Sequence, residues 1–151
     1  MPIMTHRLVV RLGVALLFVF GCATSFVVGR TTQVPSPGPQ LTSATRGGLR
    51  MLLDKKSLGG PEVSVGERTY PANYESAEHT HQSIEILYVL SGEFQHAING
   101  QTHVLTAGMV GYVKPGDKVQ HKTGSKGPAK VLMIWVPGDD GDRLAEGWRA
   151  Q

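Results

Sequence analysis

The chain has 151 residues, enough for one domain with additional segments. Its formal net charge of +3 comes from 15 Lys and Arg against 12 Asp and Glu. The excess lies in residues 1–30, which hold arginines and no acidic residue, so the rest of the chain is balanced and nucleic acid is excluded as a partner. The 40% hydrophobic content excludes disorder throughout, and the single cysteine, Cys22, excludes an intramolecular disulfide.

Residues 1–30 are predicted to be an export signal or a membrane anchor. Arg7 and Arg11 precede the uncharged run LGVALLFVFGCATSFVVG, and a basic region before an apolar stretch is typical of a secretory signal. Three alternatives stay open: Cys22 is lipidated as in bacterial lipoproteins, a cut near Ala23 to Ser25 releases a soluble product, or the segment stays as a single-pass anchor. In each case we expect an exported domain, periplasmic or extracellular, that contacts the membrane only through this segment.

Residues 31–48 are predicted to be a linker. Their sequence, TTQVPSPGPQLTSATRGG, alternates proline with small residues and is almost uncharged. Such a composition cannot bury a core and is typical of an extended spacer. The linker would hold the following domain away from a membrane.

Residues 49–137 are predicted to form a domain of short strands. Apolar runs alternate with turn signals, in a chain with 19 Gly and 9 Pro. The strongest turn is Asn99-Gly100, because both residues tolerate positive φ in a tight hairpin. The pattern favours an all-β barrel or sandwich without amphipathic helices. We expect strands at Leu49–Leu53, Glu62–Val65, Ile84–Leu90, Phe94–Ile98, Gln101–Leu105, Val110–Val113 and Val131–Val136.

Residues 138–151 are predicted to be a flexible acidic tail. Asp139, Asp140 and Asp142 follow a Pro-Gly pair, and chain ends of this kind usually fray. At most one helical turn is expected, at Arg143–Glu146.

The candidate chemistry lies in the segment HTHQSIE at residues 79–85. On a strand, even offsets point to one side, so His79, His81 and Glu85 can share a face. Two imidazoles and a carboxylate on one face suit a divalent first-row metal. Apolar residues flank Glu85 on both faces of its strand, so we expect both faces to be buried. A buried carboxylate needs a partner, and a metal ion would serve.

The spacing of this segment resembles the first motif of the cupin superfamily, G(x)5HxH(x)3,4E(x)6G. His79, His81, Glu85 and Gly92 stand at the matching positions. Asn73 replaces the leading glycine and can also adopt the left-handed conformation.

The second cupin motif, G(x)5PxG(x)2H(x)3N, is partly met. Gly108, Pro115, Gly116 and His121 are present, but the proline is one place late, the histidine is two places further on, and the final Asn is missing. The resemblance covers roughly residues 52–136. It implies a small single-domain bacterial cupin, a jelly-roll β-barrel preceded by an apolar leader and a Pro-rich linker.

The resemblance also implies a metal site and two alternative functions. One divalent metal ion (Fe, Mn, Ni, Cu or Zn) would be held by His79, His81, Glu85 and His121. In the first alternative the protein is an enzyme that acts on a small organic molecule. It would be a mononuclear metal-dependent oxidoreductase of the dioxygenase type, or else an isomerase. In the second it is a non-catalytic module that binds a small ligand at the cell surface. Catalytic residues beyond the ligands are not indicated, and a homodimer is a candidate assembly.

Two further histidines and a group of lysines remain. His96 shares a face with Phe94 and Ile98 and could line the barrel, but a surface position is favoured because the register is not fixed. His103, close to the Asn99-Gly100 turn, is expected to be exposed. A solvated basic face is expected from five lysines near the second motif: Lys114, Lys118, Lys122, Lys126 and Lys130.

Overall fold

The structure is a computed structural model, and it describes residues 37–150. The predictions for residues 1–30 and for the first part of the linker lie outside the described residues. Within the described part, no helix is both long and apolar enough to cross a bilayer.

The described residues form two antiparallel sheets. The six-stranded sheet has the order β1-β2-β3-β10-β5-β8, and the four-stranded sheet has the order β4-β9-β6-β7. The expected all-β fold is therefore confirmed. The strands are β1 Leu41–Ser43, β2 Gly47–Leu53, β3 Ser64–Tyr70, β4 His79–Thr80, β5 Ile84–Ser91, β6 Glu93–Ile98, β7 Gln101–Thr106, β8 Val110–Val113, β9 Lys118–Lys122 and β10 Ala129–Val136, and the helices are α1 Lys55–Leu58 and α2 Asp139–Arg149.

The core lies between the two sheets. Burial alternates residue by residue along β3, β5 and β10, because every second side chain points inward. The largest fully buried side chains are Trp135, Tyr70 and Phe94. Ionisable residues share this interior with them, namely Arg68, Glu85, His96 and His121. The fold thus places titratable groups in a space that is otherwise apolar.

Four turn residues adopt the conformations that the sequence requires. Asn99 and Gly100 have φ of 50° and 84°, and they join Ile98 to Gln101 in the β6–β7 hairpin. Asn73 has φ of 57°, so it takes the left-handed conformation expected of it. Gly92 has φ of 82°, and a Cβ there would overlap the backbone of Pro128, so only glycine fits.

One face of β5 differs from the prediction. Glu85 is fully buried as expected, but the opposite face is open: Ile84 is 43% exposed and Tyr88 is 39% exposed. The neighbouring strand β8 adds Val110 and Tyr112, which are 59% and 58% exposed. The expectation that both faces are buried was wrong, because β5 faces the second sheet on one side only.

The linker boundary was also wrong. Strand β1 and the start of β2 lie inside the predicted linker, and Leu41 pairs with Leu49 in an antiparallel ladder. The turn between them ends at Gly47, whose φ is 83°. Such short strands escape the sequence analysis because three residues show no period.

The C-terminal segment is ordered instead of flexible. Residues Asp139–Arg149 form α2, with Ala145 and Trp148 buried in the core cluster. Gly141 is also buried, and with Leu144 these residues follow the i, i+3, i+4, i+7 spacing of one helix face. The acidic residues at the start of the segment favoured the prediction of a flexible tail. Acidic side chains also stabilise a helix N-terminus, which is the role that fits the structure.

Candidate functional site

The structure brings the four predicted ligands together, with Glu85 and His121 buried and His79 and His81 half-buried. His79 lies on β4, His81 directly after it, Glu85 on β5 and His121 on β9. Glu85 Oε2 is 3.3 Å from His81 Nε2 and 3.6 Å from His121 Nε2. The centroid of the His79 ring lies 4.9 Å from that of His81 and 5.5 Å from that of His121. These four residues are called the histidine cluster below.

Burial and charge act in opposite directions on the cluster. Burial raises the pKa of the Glu85 carboxyl, but His81 and His121 beside it outweigh burial and hold the pKa below its ordinary value. Burial also lowers the pKa of His81, yet the nearby carboxylate leaves it raised. Burial outweighs the same carboxylate at His121 and lowers the pKa of that imidazole to about 3. At neutral pH the cluster therefore contains an ionised Glu85 and a neutral His121.

A second set of contacts orients each imidazole through its Nδ1 atom. His79 Nδ1 donates to the carbonyl oxygen of Ala77 at 2.9 Å, which leaves Nε2 with a free lone pair. His121 Nδ1 lies 3.4 Å from the hydroxyl of Tyr70. His81 Nδ1 lies 3.9 Å from a carboxylate oxygen that α2 provides. Outer contacts of this kind fix the ring orientation of histidines that bind metals.

The histidine cluster has the side-chain types of a metal site, but these side chains are not arranged around one common position. As placed, the side chains of residues 37–150 do not form a group of three or more His, Cys, Asp or Glu that could hold an ion. The Glu85 carboxylate instead contacts two of the rings directly. Both of its oxygens, and Nε2 of His81 and His121, are buried and have no hydrogen-bond partner within the described range. Unpartnered nitrogen and oxygen donors around a buried charge fit a divalent cation.

His96 is buried, so the surface position favoured from the sequence was wrong. It is 1% exposed, and its ring stacks on that of His121 with centroids 5.2 Å apart. The cause is the register of β6 against β9, which pairs His96 with His121 on one face. Burial lowers the pKa of His96. His103 is exposed, as expected.

Helix α2 contributes a residue that the sequence analysis missed. Oδ2 of Asp140 accepts backbone hydrogen bonds from Gln82 at 2.8 Å and Ser83 at 2.7 Å, and its other oxygen pairs with Arg143. The segment between His81 and Glu85 is thereby tied to the helix. The helical spacing of the C-terminal residues was the signal that could have indicated this contact.

Strand β3 contributes two more residues that were missed, because it continues beyond the predicted end at Val65. Its inward positions include Arg68 and Tyr70, which are 7% and 0% exposed. Arg68 borders two cavities. One, of about 270 Å³, is also lined by the histidine cluster, and the other, of about 730 Å³, is lined by Arg46, Tyr74 and Trp148.

The family comparison agrees with this architecture. The family model described as Cupin domain matches residues 66–136, which contain the whole histidine cluster. These residues are a cupin domain. No curated protein matches the chain in sequence.

Solved structures share the cupin fold at low identity. An RmlC-like cupin from Shewanella frigidimarina is 20% identical, with a TM-score of 0.58 over 67% of this chain and 85% of the other. The polyketide cyclase RemF from Streptomyces resistomycificus is 19% identical, with a TM-score of 0.57 over 66% and 73%. A predicted oxalate decarboxylase from Thermotoga maritima is 20% identical, with a TM-score of 0.55 over 72% and 96%. At these identities the likeness establishes the fold alone.

Proposed function

We propose that the chain is a metal-binding cupin that acts as a mononuclear metal-dependent oxidoreductase, dioxygenase-like, on a small organic molecule. The proposal is supported by the buried, ionised Glu85, whose Oε2 atom lies 3.3 Å from Nε2 of His81 and 3.6 Å from Nε2 of His121. A charge in that position is costly unless a cation compensates it. His79, His81, Glu85 and His121 would hold the ion, which would supply Lewis-acid or redox chemistry when bound.

The surroundings of the cluster support a ligand of small size. The adjoining cavity of about 270 Å³ is bordered by Met133 and Trp135 as well as by Arg68 and Asp140. The lining is mostly polar and ionisable with a smaller apolar part, which suits a small polar molecule. The Nδ1 contacts of the three histidines would keep their rings in place while a ligand enters and leaves.

Elemental analysis and oxygen consumption of the purified full chain would test this function. We expect one divalent ion per chain, loss of that ion in His81→Ala, and retention in the control His103→Ala, whose histidine is exposed and outside the cluster. Full metal content in His81→Ala would remove His81 from the site. Oxygen consumption with a small organic substrate would support the oxidoreductase.

A second candidate function is a ligand-binding module without catalysis. The wider cavity of about 730 Å³, lined by Arg46, Tyr74 and Trp148, favours it because these side chains can bind a ligand without taking part in a reaction. Tight binding of a small molecule with no turnover and no oxygen consumption would select this alternative.

Export of the domain is a further part of the proposal. It is supported by Arg7 and Arg11 before the apolar run in residues 1–30. Lipid labelling that disappears in Cys22→Ser would select the lipoprotein alternative. Recovery of the uncut chain from the cytosol would contradict export.

A homodimer remains a prediction, and the open face of β5 and β8 is its best-supported surface. Tyr112 and Val110 lie there on the edge strand of the six-stranded sheet, both more than half exposed. A second copy would bury this flat apolar face against its own counterpart. Sedimentation equilibrium should give a dimer for the wild type and a monomer for Tyr112→Glu, and a monomeric wild type would contradict it.

A further inference from the structure

Arg68 is a buried cation without an anionic partner. It is 7% exposed, and no carboxylate oxygen within residues 37–150 lies within 4.0 Å of its guanidinium. Its side chain makes one hydrogen bond, from Nη2 to the hydroxyl of Tyr74 at 2.9 Å, and Nε has no partner. A guanidinium has five N–H donors, so most of the binding capacity of Arg68 is unused.

The missing partner distinguishes Arg68 from four lysines on the solvated face. These four lysines are paired with glutamates even though water could satisfy them: Lys118 with Glu78, Lys122 with Glu75, Lys126 with Glu93 and Lys130 with Glu67. The free-energy cost of removing a charge from water is far larger for the buried Arg68 than for these lysines, which stay in contact with water. Aromatic rings offset part of the cost, since the guanidinium carbon lies 4.3 Å from the Tyr70 centroid and 5.7 Å from that of Trp148.

A second arginine and an indole lie beside Arg68. The guanidinium carbon of Arg46 is 4.2 Å from the Trp148 ring centroid, and Arg46 also has no carboxylate partner in the described part of the chain. Nε1 of Trp148 is a buried donor without a hydrogen-bond partner among the residues that the structure describes. Two cations and an N–H group therefore surround one cavity, which also reaches His79 and His121 of the histidine cluster.

We propose that Arg68, supported by Arg46, is an anion-binding subsite and that the small molecule of this cupin carries a carboxylate group. The planar guanidinium pairs with both oxygens of a carboxylate at once. Because Arg68 borders both cavities, a carboxylate held there leaves the rest of the molecule next to the histidine cluster. The assignment deepens the proposed function and rests on it for the role of the cluster, whereas recognition of the carboxylate itself requires no metal.

Calorimetric titration of the metal-stripped full chain tests the subsite. The probes are acetate, malonate, succinate and benzoate, each compared with its neutral amide, together with inorganic phosphate. At least one carboxylate should bind, and its amide should bind about tenfold more weakly or not at all, because the amide lacks the charge that Arg68 needs. Equal binding of acid and amide, no binding by any carboxylate, or tighter binding of phosphate would overturn the assignment.

Variants locate the effect on Arg68. Arg68→Met should weaken carboxylate binding about tenfold or more, and Arg68→Lys should give an intermediate value because it keeps the charge without the fork of donors. Arg50→Met is the matched control, since Arg50 donates to the carbonyl of Gly38 and lines neither cavity. Unchanged binding in Arg68→Met would overturn the proposal. The comparison of acid with amide uses the unaltered chain, so it tests the preference for a carboxylate even if Arg68→Met fails to fold.

Metal content measured on the same samples separates this inference from the proposed function. If Arg68→Met retains metal and the wild type shows no preference for acid over amide, only the anion subsite fails. If the wild type prefers carboxylates but binds no metal under any loading condition, only the metal-dependent function fails.

Discussion

Oδ2 of Asp140 accepts a hydrogen bond from the backbone N–H of Ser83 at 2.7 Å, although the two residues are 57 positions apart in the chain. The same oxygen accepts from Gln82, so the first turn of α2 holds the segment that leads from His81 into the strand of Glu85. The C-terminal helix is thus part of the support of the histidine cluster.

Removal of this carboxylate should loosen the cluster. Asp140→Ala leaves two backbone N–H groups without their acceptor, and we expect the free energy of unfolding to fall by about 1–3 kcal/mol. Metal affinity should fall as well, because His81 loses a neighbour of its Nδ1 atom. Urea denaturation and metal titration measure both effects. Asp139→Ala is the control, since Asp139 is exposed on the same helical turn, and an equal effect there would contradict the role of Asp140.

The packing of α2 against the barrel depends on Gly141. A Cβ at Gly141 would overlap the hydroxyl of Ser64 and the ring of Trp135. Gly141→Ala should therefore shift the helix and lower the free energy of unfolding by about 1–3 kcal/mol.

Gly147 provides the matched control for this change, because a Cβ there meets nothing within 4 Å. Gly147→Ala should be neutral or stabilise the protein by up to about 1 kcal/mol, since alanine favours the helix. Thermal unfolding of both variants distinguishes packing from helix propensity. A neutral Gly141→Ala would show that α2 does not pack tightly against β3 and β10.

Acid should destabilise the metal-free domain. His121 has a pKa of about 3 in the folded state, far below the value of about 6.5 in an unfolded chain. Between these pH values the unfolded state binds a proton that the folded state does not, so stability falls as pH decreases, by up to about 1.4 kcal/mol per pH unit for one histidine. The lowered pKa of His96 acts in the same direction.

Glu85 and His81 set the lower and upper limits of the pH range in which acid destabilises the fold. The lowered pKa of Glu85 stabilises the fold above about pH 4.5, and that contribution is lost in stronger acid. The raised pKa of His81 stabilises the fold below about pH 6.5 and is lost as the pH rises through its folded value. Urea unfolding of the chelator-treated chain should therefore show decreasing stability from pH 6.5 to 4.5. A flat profile would contradict the burial of neutral histidines.

The sequence could predict the features that depend on local spacing. His79, His81 and Glu85 lie within seven residues, so the two-residue period of a strand was enough to place them on one face. The Asn99-Gly100 hairpin is local in the same way.

Features that depend on distant partners could not be predicted. His96 is buried only because β6 pairs with β9, and Arg68 enters the site only because β3 continues to Tyr70. The contact between Asp140 and Ser83 requires the helix to fold back over the barrel. The apolar residues on the outer face of β5 predict burial, because the sequence does not show whether another layer covers that face.

In the proposed site, the charge of Glu85 is compensated by a metal ion. If it is, the ion should stabilise the protein through a charge that Glu85→Gln lacks, while the metal-free forms of both proteins should be of similar stability. The gap between metal-bound and metal-free wild type should also narrow in acid, because protons displace the ion from Glu85 and the histidines.

Thermal melts with and without chelator, on the wild type and Glu85→Gln, measure this compensation. We expect a metal-dependent rise in Tm in the wild type that is mostly lost in Glu85→Gln. Equal metal-dependent shifts in the two proteins would contradict the account and leave a site of three histidines, with Glu85 outside it.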